Sequence, residues 1–315
     1  MAAAASFSTM RRRQLGRHGP EVSVIGYGAW EAGGTAWGAN ESDEVVIDAI
    51  RAGLDAGIDW IDTAEVYGDG VSELIVGRAI AGRRDELTLA TKVAPAPDGS
   101  GFTPAQVRSA CEKSLGRLGT DRIDLYQLHW PDETGVPLED TWGAMGDLQV
   151  AGLVRHIGVS NFDRGQIEAC LAMRHVDSLQ PEFSMLVRAN GDLIRWCGEQ
   201  GVGVVSYTPL ASGLLTGAIT TETRFREGDW RGAEQDEGPF SDLETSLEIV
   251  RRLRPVAERL GCGLAELALA WNVHQPGVTA AIAGSRNPEH VRTNASGGDI
   301  ELDDVTLKEL DTLLG

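Results

Sequence analysis

From about residue 24 onward, eight short runs of aliphatic and β-branched residues alternate with longer amphipathic segments. The runs are Val24 to Tyr27, Ile58 to Ile61, Leu87 to Thr91, Ile123 to Leu128, Val154 to Val159, Ser178 to Leu179, Val202 to Ser206 and Thr279 to Ile282. Strands separated by helices pair in parallel, and eight such units are the number that closes a barrel. The expected fold class is therefore α/β, a (β/α)8 TIM barrel. Its 315 residues suit one such domain over 1–315, since these barrels commonly run to about 250 residues or more.

The intervening segments carry helix signals. Val46, Ile50 and Leu54 repeat at helical spacing, as do Val107, Leu115 and Leu118. Thr103-Pro104-Ala105-Gln106 offers a capping hydroxyl, a proline at the first helical position and a glutamine placed to reciprocate, and Asp163 with Gln166 repeats the pattern. Two segments break the rhythm. Arg13 to Gly16 and Glu21 to Ser23 flank a Gly-Pro turn, which predicts an N-terminal hairpin plugging one barrel end. Residues 208–241 form a long polar stretch, a candidate for closing over a ligand.

Charge excludes some partners. A formal charge of -19 opposes general attraction to nucleic acids or to anionic membranes, so a phosphate-bearing ligand needs a local cationic pocket. No apolar run approaches the roughly 20 residues that span a bilayer. Cys111, Cys170, Cys197 and Cys262 are widely scattered and read as reduced packing residues. The opening MAAAASFSTMRRR places its charges after a short small-residue stretch, unlike a secretory signal, and a cytoplasmic location is expected.

In a (β/α)8 barrel the site forms at the C-terminal ends of the strands, so polar residues that follow apolar runs are the candidates. Asp62 ends the second run and Tyr67 lies five residues on; Lys92 ends the third run and His129 the fourth. Singly, each has a bland explanation as a turn cap, a rim charge or a core hydrogen bonder. Three consecutive strands delivering a carboxylate, a phenol, an amine and an imidazole to one rim is a different matter. An ammonium beside a phenol favours the phenolate, so Lys92 is expected to lower the pKa of Tyr67, with Asp62 holding Lys92 and His129 orienting a substrate oxygen. Such a set suits protonation of a carbonyl oxygen. A strand-end lysine is also where Schiff-base chemistry of an aldolase or lyase would sit, although the adjacent carboxylate would keep that lysine protonated.

With IDTAEVYG, the Lys of ATKV and the His of QLHWPD in this order and spacing, the chain resembles the aldo-keto reductase superfamily, from the hairpin to about Asn294. The resemblance is to bacterial-type members, and it extends to the potassium-channel β subunits. It implies Tyr67 as general acid/base, tuned by Lys92 and Asp62, with His129 positioning the carbonyl of a small-molecule substrate. It also implies an NADP(H) cofactor. Ser160, Asn161 and Gln180 would hold the carboxamide, and Tyr207 would stack on the nicotinamide. Pro209, Leu210, Ser212, Gly213 and Leu215 would belong to the loop over the pyrophosphate, and Gly284, Ser285, Arg286, His290 and Asn294 to the adenosine end. A helix start beside Arg286 suits a 2′-phosphate, with Arg292 a second cation to consider. His290 stands where an arginine or glutamine is common, and Thr293 where a glutamate often precedes the asparagine. Trp30 would line the substrate pocket, joined by Tyr27 and Trp130, aromatic walls that suit an apolar or aromatic carbonyl compound. The resemblance leaves one alternative of another class, an NADP-binding regulatory subunit with low turnover.

Overall fold

The computed structural model describes residues 10–96, 98–233 and 238–315; most of the opening segment read as unlike a secretory signal, residues 1–9, and the part of the long loop at 234–237 lie outside the described residues. A short antiparallel hairpin, β1 (Arg12–Gln14) and β2 (Glu21–Ser23), precedes the barrel. Eight parallel strands follow: β3 (Ile25–Gly28), β4 (Trp60–Asp62), β5 (Thr88–Val93), β6 (Ile123–Leu128), β7 (Val154–Ser160), β8 (Ser178–Gln180), β9 (Gly203–Ser206) and β10 (Ala280–Ala283). They pair in order and close through β10 against β3, as the count of apolar runs required.

Helices occupy the outside. They are α1 (Asp43–Asp55), α2 (Val71–Ala79), α3 (Pro104–Leu118), α4 (Leu138–Val150), α5 (Arg164–Met173), α6 (Gly191–Gln200), the short α7 (Trp230–Ala233), α8 (Leu243–Leu260), α9 (Leu264–His274), α10 (Pro288–Gly297) and α11 (Asp304–Leu314). Asp163 and Gln166 form the reciprocal capping box at α5, as expected. At α3 the box is only half made. Thr103 accepts from the Gln106 amide, but the Gln106 side chain donates instead to the carbonyl of Ala94, fastening α3 to the end of β5.

The hairpin plugs the barrel through Leu15 and Val22, both at most 2% exposed, which join Trp60, Ala90, Leu125, Val205, Ala280 and Ile282 in the inner core. Burying two such side chains stabilises the plug by roughly 1.5–3 kcal/mol each. Trp60 ties the layers together, its indole N–H donating to the Ser23 carbonyl at 2.9 Å. Its ring fills the space where a Cβ on Gly26 would sit, which explains a glycine in the middle of β3.

Strand side chains alternate between the barrel interior and the helices. The inner core residues Trp60, Ala90 and Leu125 are each two positions before a polar residue: Asp62, Lys92 and Gln127. The apolar plug layer is thus capped by a polar layer toward the strand C-termini. Strands β4, β5, β7 and β8 run further than the apolar runs, into Asp62, Lys92, Ser160 and Gln180, because the ladder is made by the backbone and does not stop where inward side chains become polar. No described helix is long and apolar enough to cross a membrane. Cys111, Cys170 and Cys197 are buried free thiols pushed up to about 12 by desolvation, in keeping with packing residues.

Candidate active site

The polar layer converges on one ammonium. Lys92 is fully buried, and its Nζ donates to Asp62 Oδ1 at 2.5 Å, to the Thr63 carbonyl at 3.0 Å and to the Tyr67 hydroxyl at 3.1 Å. An ammonium has three protons, so every donor is engaged. Asp62 in turn accepts from Gln180 at 2.9 Å and from Gln127 at 3.4 Å, and Gln127 accepts from the Ser178 hydroxyl at 3.1 Å. The carboxylate is held by side chains from three other strands, β5, β6 and β8.

Burial disfavours the ammonium, but attraction to Asp62 and Tyr67, with the hydrogen bonds to both, outweighs it and raises the Lys92 pKa. Tyr67 is shifted the other way from the sequence expectation. Desolvation raises its pKa, and the pull of Lys92 reduces that rise without reversing it. The phenol is therefore a protonated group whose oxygen already accepts one hydrogen bond, with its own proton left to donate. His129, desolvated and near Lys92, has its pKa well below the ordinary value and is neutral at pH 7. Its ring meets that of Tyr67 edge-on at 5.6 Å and stacks on Trp130 at 3.8 Å.

A histidine buried neutral must take up a proton on unfolding once the pH drops below its unfolded value of about 6.5. The unfolded state then binds more protons, so this contribution is intact above that pH and is lost as pH falls toward the depressed folded value. We expect His129→Gln to flatten part of the fall in Tm between about pH 6.5 and 5; an unchanged Tm-versus-pH curve would refute it.

All four residues except Lys92 line a cavity of about 1050 Å³, as do Trp30, Trp130, Ser160, Asn161, Gln180, Tyr207, Pro209, Leu210, Ser212, Gly213, Gly284, Ser285, Arg286, His290 and Asn294. Several of these polar groups are already chained together. The Ser160 hydroxyl donates to the Gln180 carbonyl, Asn161 donates to the His129 carbonyl, and the Tyr207 hydroxyl donates to Asn161 Oδ1 at 3.0 Å. The backbone between Thr208 and Gly213 is strained: Thr208, Ala211 and Ser212 all have positive φ, of 48°, 46° and 54°. Non-glycine residues in that region persist where surrounding structure enforces them, and they cluster at ligand clamps.

Two expected site residues lie elsewhere. Tyr27 alternates with Gly26 and Gly28, whose inner faces Trp60 and Ile282 occupy, so its ring points outward to the helices and is 1% exposed; its hydroxyl donates to the Ser285 carbonyl at 2.9 Å. It props the loop after β10 from behind. Leu215 is buried in the outer core and does not line the cavity. Arg292 is exposed on α10 and is likewise outside the lining. Arg286 is in place, but its guanidinium holds the first loop, through the carbonyls of Trp37 and Gly38 at 2.8 and 2.9 Å.

Other contributors escaped the sequence reading. Gln127 and Ser178 support Asp62 from inside the barrel; a polar residue at an inward position two before His129 was the available signal. The first loop and the loop after β9 also meet over the cavity. Trp37 bridges Asp229, the Trp230 amide donates to the Ala36 carbonyl at 2.8 Å, and Arg231 reaches the Ser212 carbonyl at 3.1 Å. Nothing local in either segment announces that pairing.

The chain is similar to known proteins over nearly its whole length. The model of the aldo/keto reductase family matches residues 24–314. The aldo-keto reductase YhdN of Bacillus subtilis (strain 168) is 37% identical over 304 residues, covering 94% of this chain and 91% of that one. The NADH-specific methylglyoxal reductase of Escherichia coli (strain K12) is 31% identical, covering 94% and 96%. Among solved structures, the glycerol dehydrogenase of Gluconobacter oxydans superposes with a TM-score of 0.85 at 31% identity, covering 98% and 95%. An aldo/keto reductase of Klebsiella pneumoniae in complex with NADP and acetate does so at 0.74 and 33%, covering 96% of each chain. Family model and relatives agree: the chain belongs to the aldo/keto reductase family.

Proposed function

We propose that the chain is an NADP(H)-dependent oxidoreductase that reduces an aldehyde or ketone to an alcohol, with Tyr67 as the proton donor. The observation that carries this reading is the direction of the hydrogen bonds around Lys92. With all three ammonium protons engaged, the Tyr67 oxygen is an acceptor toward Lys92, which leaves its O–H to donate elsewhere, and Tyr67 lines the cavity. A proton can leave the phenol because the ammonium beside it stabilises the phenolate that remains. His129, neutral and at the cavity wall, would hold the carbonyl oxygen near that O–H. The same hydrogen bonds argue against a Schiff base on Lys92, whose raised pKa and lack of a free donor suit a fixed charge and not a nucleophile.

A dinucleotide fits the residues present. The cavity exceeds the usual range for one small ligand and runs from the catalytic residues past the strained loop at 208–213 to Asn294 on α10. Gln180, Asn161 and Ser160 would hold the carboxamide, Tyr207 the nicotinamide face, Ser212 and Gly213 the pyrophosphate, and Arg286 with Asn294 the adenosine end. When bound, the nicotinamide supplies the hydride. The relatives' names support a nicotinamide cofactor, one being NADH-specific and another a complex with NADP; Arg286 at the start of α10 favours the phosphorylated form.

The wall opposite the catalytic residues is aromatic. Trp30 lies 6.3 Å from the Tyr67 ring and is packed by Trp37 and Trp230, while Trp130 covers His129. Such a wall suits an apolar or aromatic carbonyl compound. Trp30→Ala is expected to raise KM for an aromatic aldehyde about tenfold with little change in kcat, the mark of lost uniform binding. Steady-state kinetics check it, and an unchanged KM would remove Trp30 from the pocket.

A further inference from the structure

We propose that Glu31 is a specificity-determining residue for the nucleotide, weakening the preference for a 2′-phosphate over a 2′-hydroxyl. This rests on the reading of Arg286 as the cation of the adenosine end.

Glu31 opens the 3-10 turn Glu31–Gly33 in the first loop and lines the same cavity as Ser285, Arg286 and His290. Its carboxylate is 3.6 Å from Arg286 Nε, and both side chains are largely buried. The rest of the guanidinium is also engaged. One terminal nitrogen donates to the carbonyls of Gly38 and Ala39 and to Asn40 Oδ1 at 2.9, 3.2 and 3.1 Å, and the other donates to the Trp37 carbonyl at 2.8 Å. Arg286 is thus largely committed before any ligand arrives, and an acidic side chain lies beside its Nε. The nearby Arg231 also attracts that carboxylate, but it is held by Asp229 in its own ion pair at 2.6 Å.

The two nucleotides meet this pair differently. A 2′-phosphate brought to Arg286 gains the guanidinium but approaches the Glu31 carboxylate, and it must compete with that carboxylate for Nε. A ribose 2′-hydroxyl is a donor, which a carboxylate accepts; acidic residues next to the adenosine ribose recognise the unphosphorylated form, and arginines the phosphorylated one. Here both stand side by side. Desolvation raises the Glu31 pKa against the pull of Arg286, so the carboxylate is short of solvation and gains from a hydroxyl donor.

Removing the charge should therefore act on one nucleotide selectively. Equilibrium titrations with NADP⁺ and with NAD⁺, read by quenching of tryptophan fluorescence, test this without turnover. For Glu31→Gln the Kd for NADP⁺ should fall about tenfold while that for NAD⁺ changes less than about twofold, as expected for two like charges near a protein surface. Glu31→Ala, which also lacks the hydrogen-bonding group, should shift the ratio in the same direction. Arg286→Ala should collapse the ratio toward equality. If Arg286→Ala leaves the ratio unchanged, the assignment of the adenosine end fails. If Arg286→Ala collapses the ratio but both Glu31 variants leave it unchanged or weaken NADP⁺, the proposal alone is overturned, and Glu31 serves only to position Arg286.

Discussion

Replacing Tyr67 with phenylalanine is expected to lower kcat for carbonyl reduction by about 10²–10⁴-fold, the usual contribution of a positioned proton donor, while the Kd for NADPH stays within about twofold of wild type. The hydroxyl is the only atom removed, and the ring keeps its place between Trp30 and His129. Nucleotide binding should survive because the loop after β9 and the start of α10, its proposed seat, are untouched. The pKa shift gives the pH dependence its sign. A proton donor works in its protonated form, and desolvation holds the Tyr67 pKa above its ordinary value of about 10. Reduction is therefore level through neutral pH and declines only in the alkaline range. Near-normal turnover by Tyr67→Phe would remove the phenol from the mechanism.

Lys92→Met carries the second large effect, and it separates catalysis from stability. The substitution leaves the Asp62 carboxylate buried, with Gln180 and Gln127 as its remaining side-chain donors. Breaking a buried pair in this way typically costs about 3–5 kcal/mol, whereas replacing both partners by neutral groups is often close to neutral. The double substitution Asp62→Asn with Lys92→Met should recover most of the stability lost in the single variant and none of its activity, since no charge remains beside Tyr67. Urea unfolding and steady-state rates of the three proteins measure both quantities. Recovery of turnover in the double variant would show that Lys92 matters only to the fold.

The period of the apolar runs made the barrel legible in the sequence, and the residues just past those runs gave the four polar side chains that meet around Lys92 or beside it. Both follow from one property of a closed parallel sheet: all strand C-termini share a rim. What the sequence hid has equally specific causes. Tyr27 sits in an aromatic-looking GYGAW segment, but a strand faces each side alternately, and the need for glycine opposite Trp60 put Tyr27 on the outside. Gln127 was overlooked because it lies within an apolar run, where it sits level with Lys92 in the neighbouring strand. The Tyr67 shift had the wrong sign because pairing with Lys92 is visible in a motif, whereas burial depends on everything packed around the ring. The involvement of Arg286 with residues 37–40 is a contact over nearly 250 positions, set by two loops whose meeting no local pattern encodes.

The most direct test of the central claim follows the hydride itself. The pure protein is mixed with NADPH carrying deuterium at the transferable position of the nicotinamide and with an aromatic aldehyde, and the product is analysed by mass spectrometry. Benzylic alcohol carrying deuterium on the former carbonyl carbon is expected from the wild type and should be almost absent with Tyr67→Phe. Alcohol without deuterium, or equal yields from the two proteins, would contradict it.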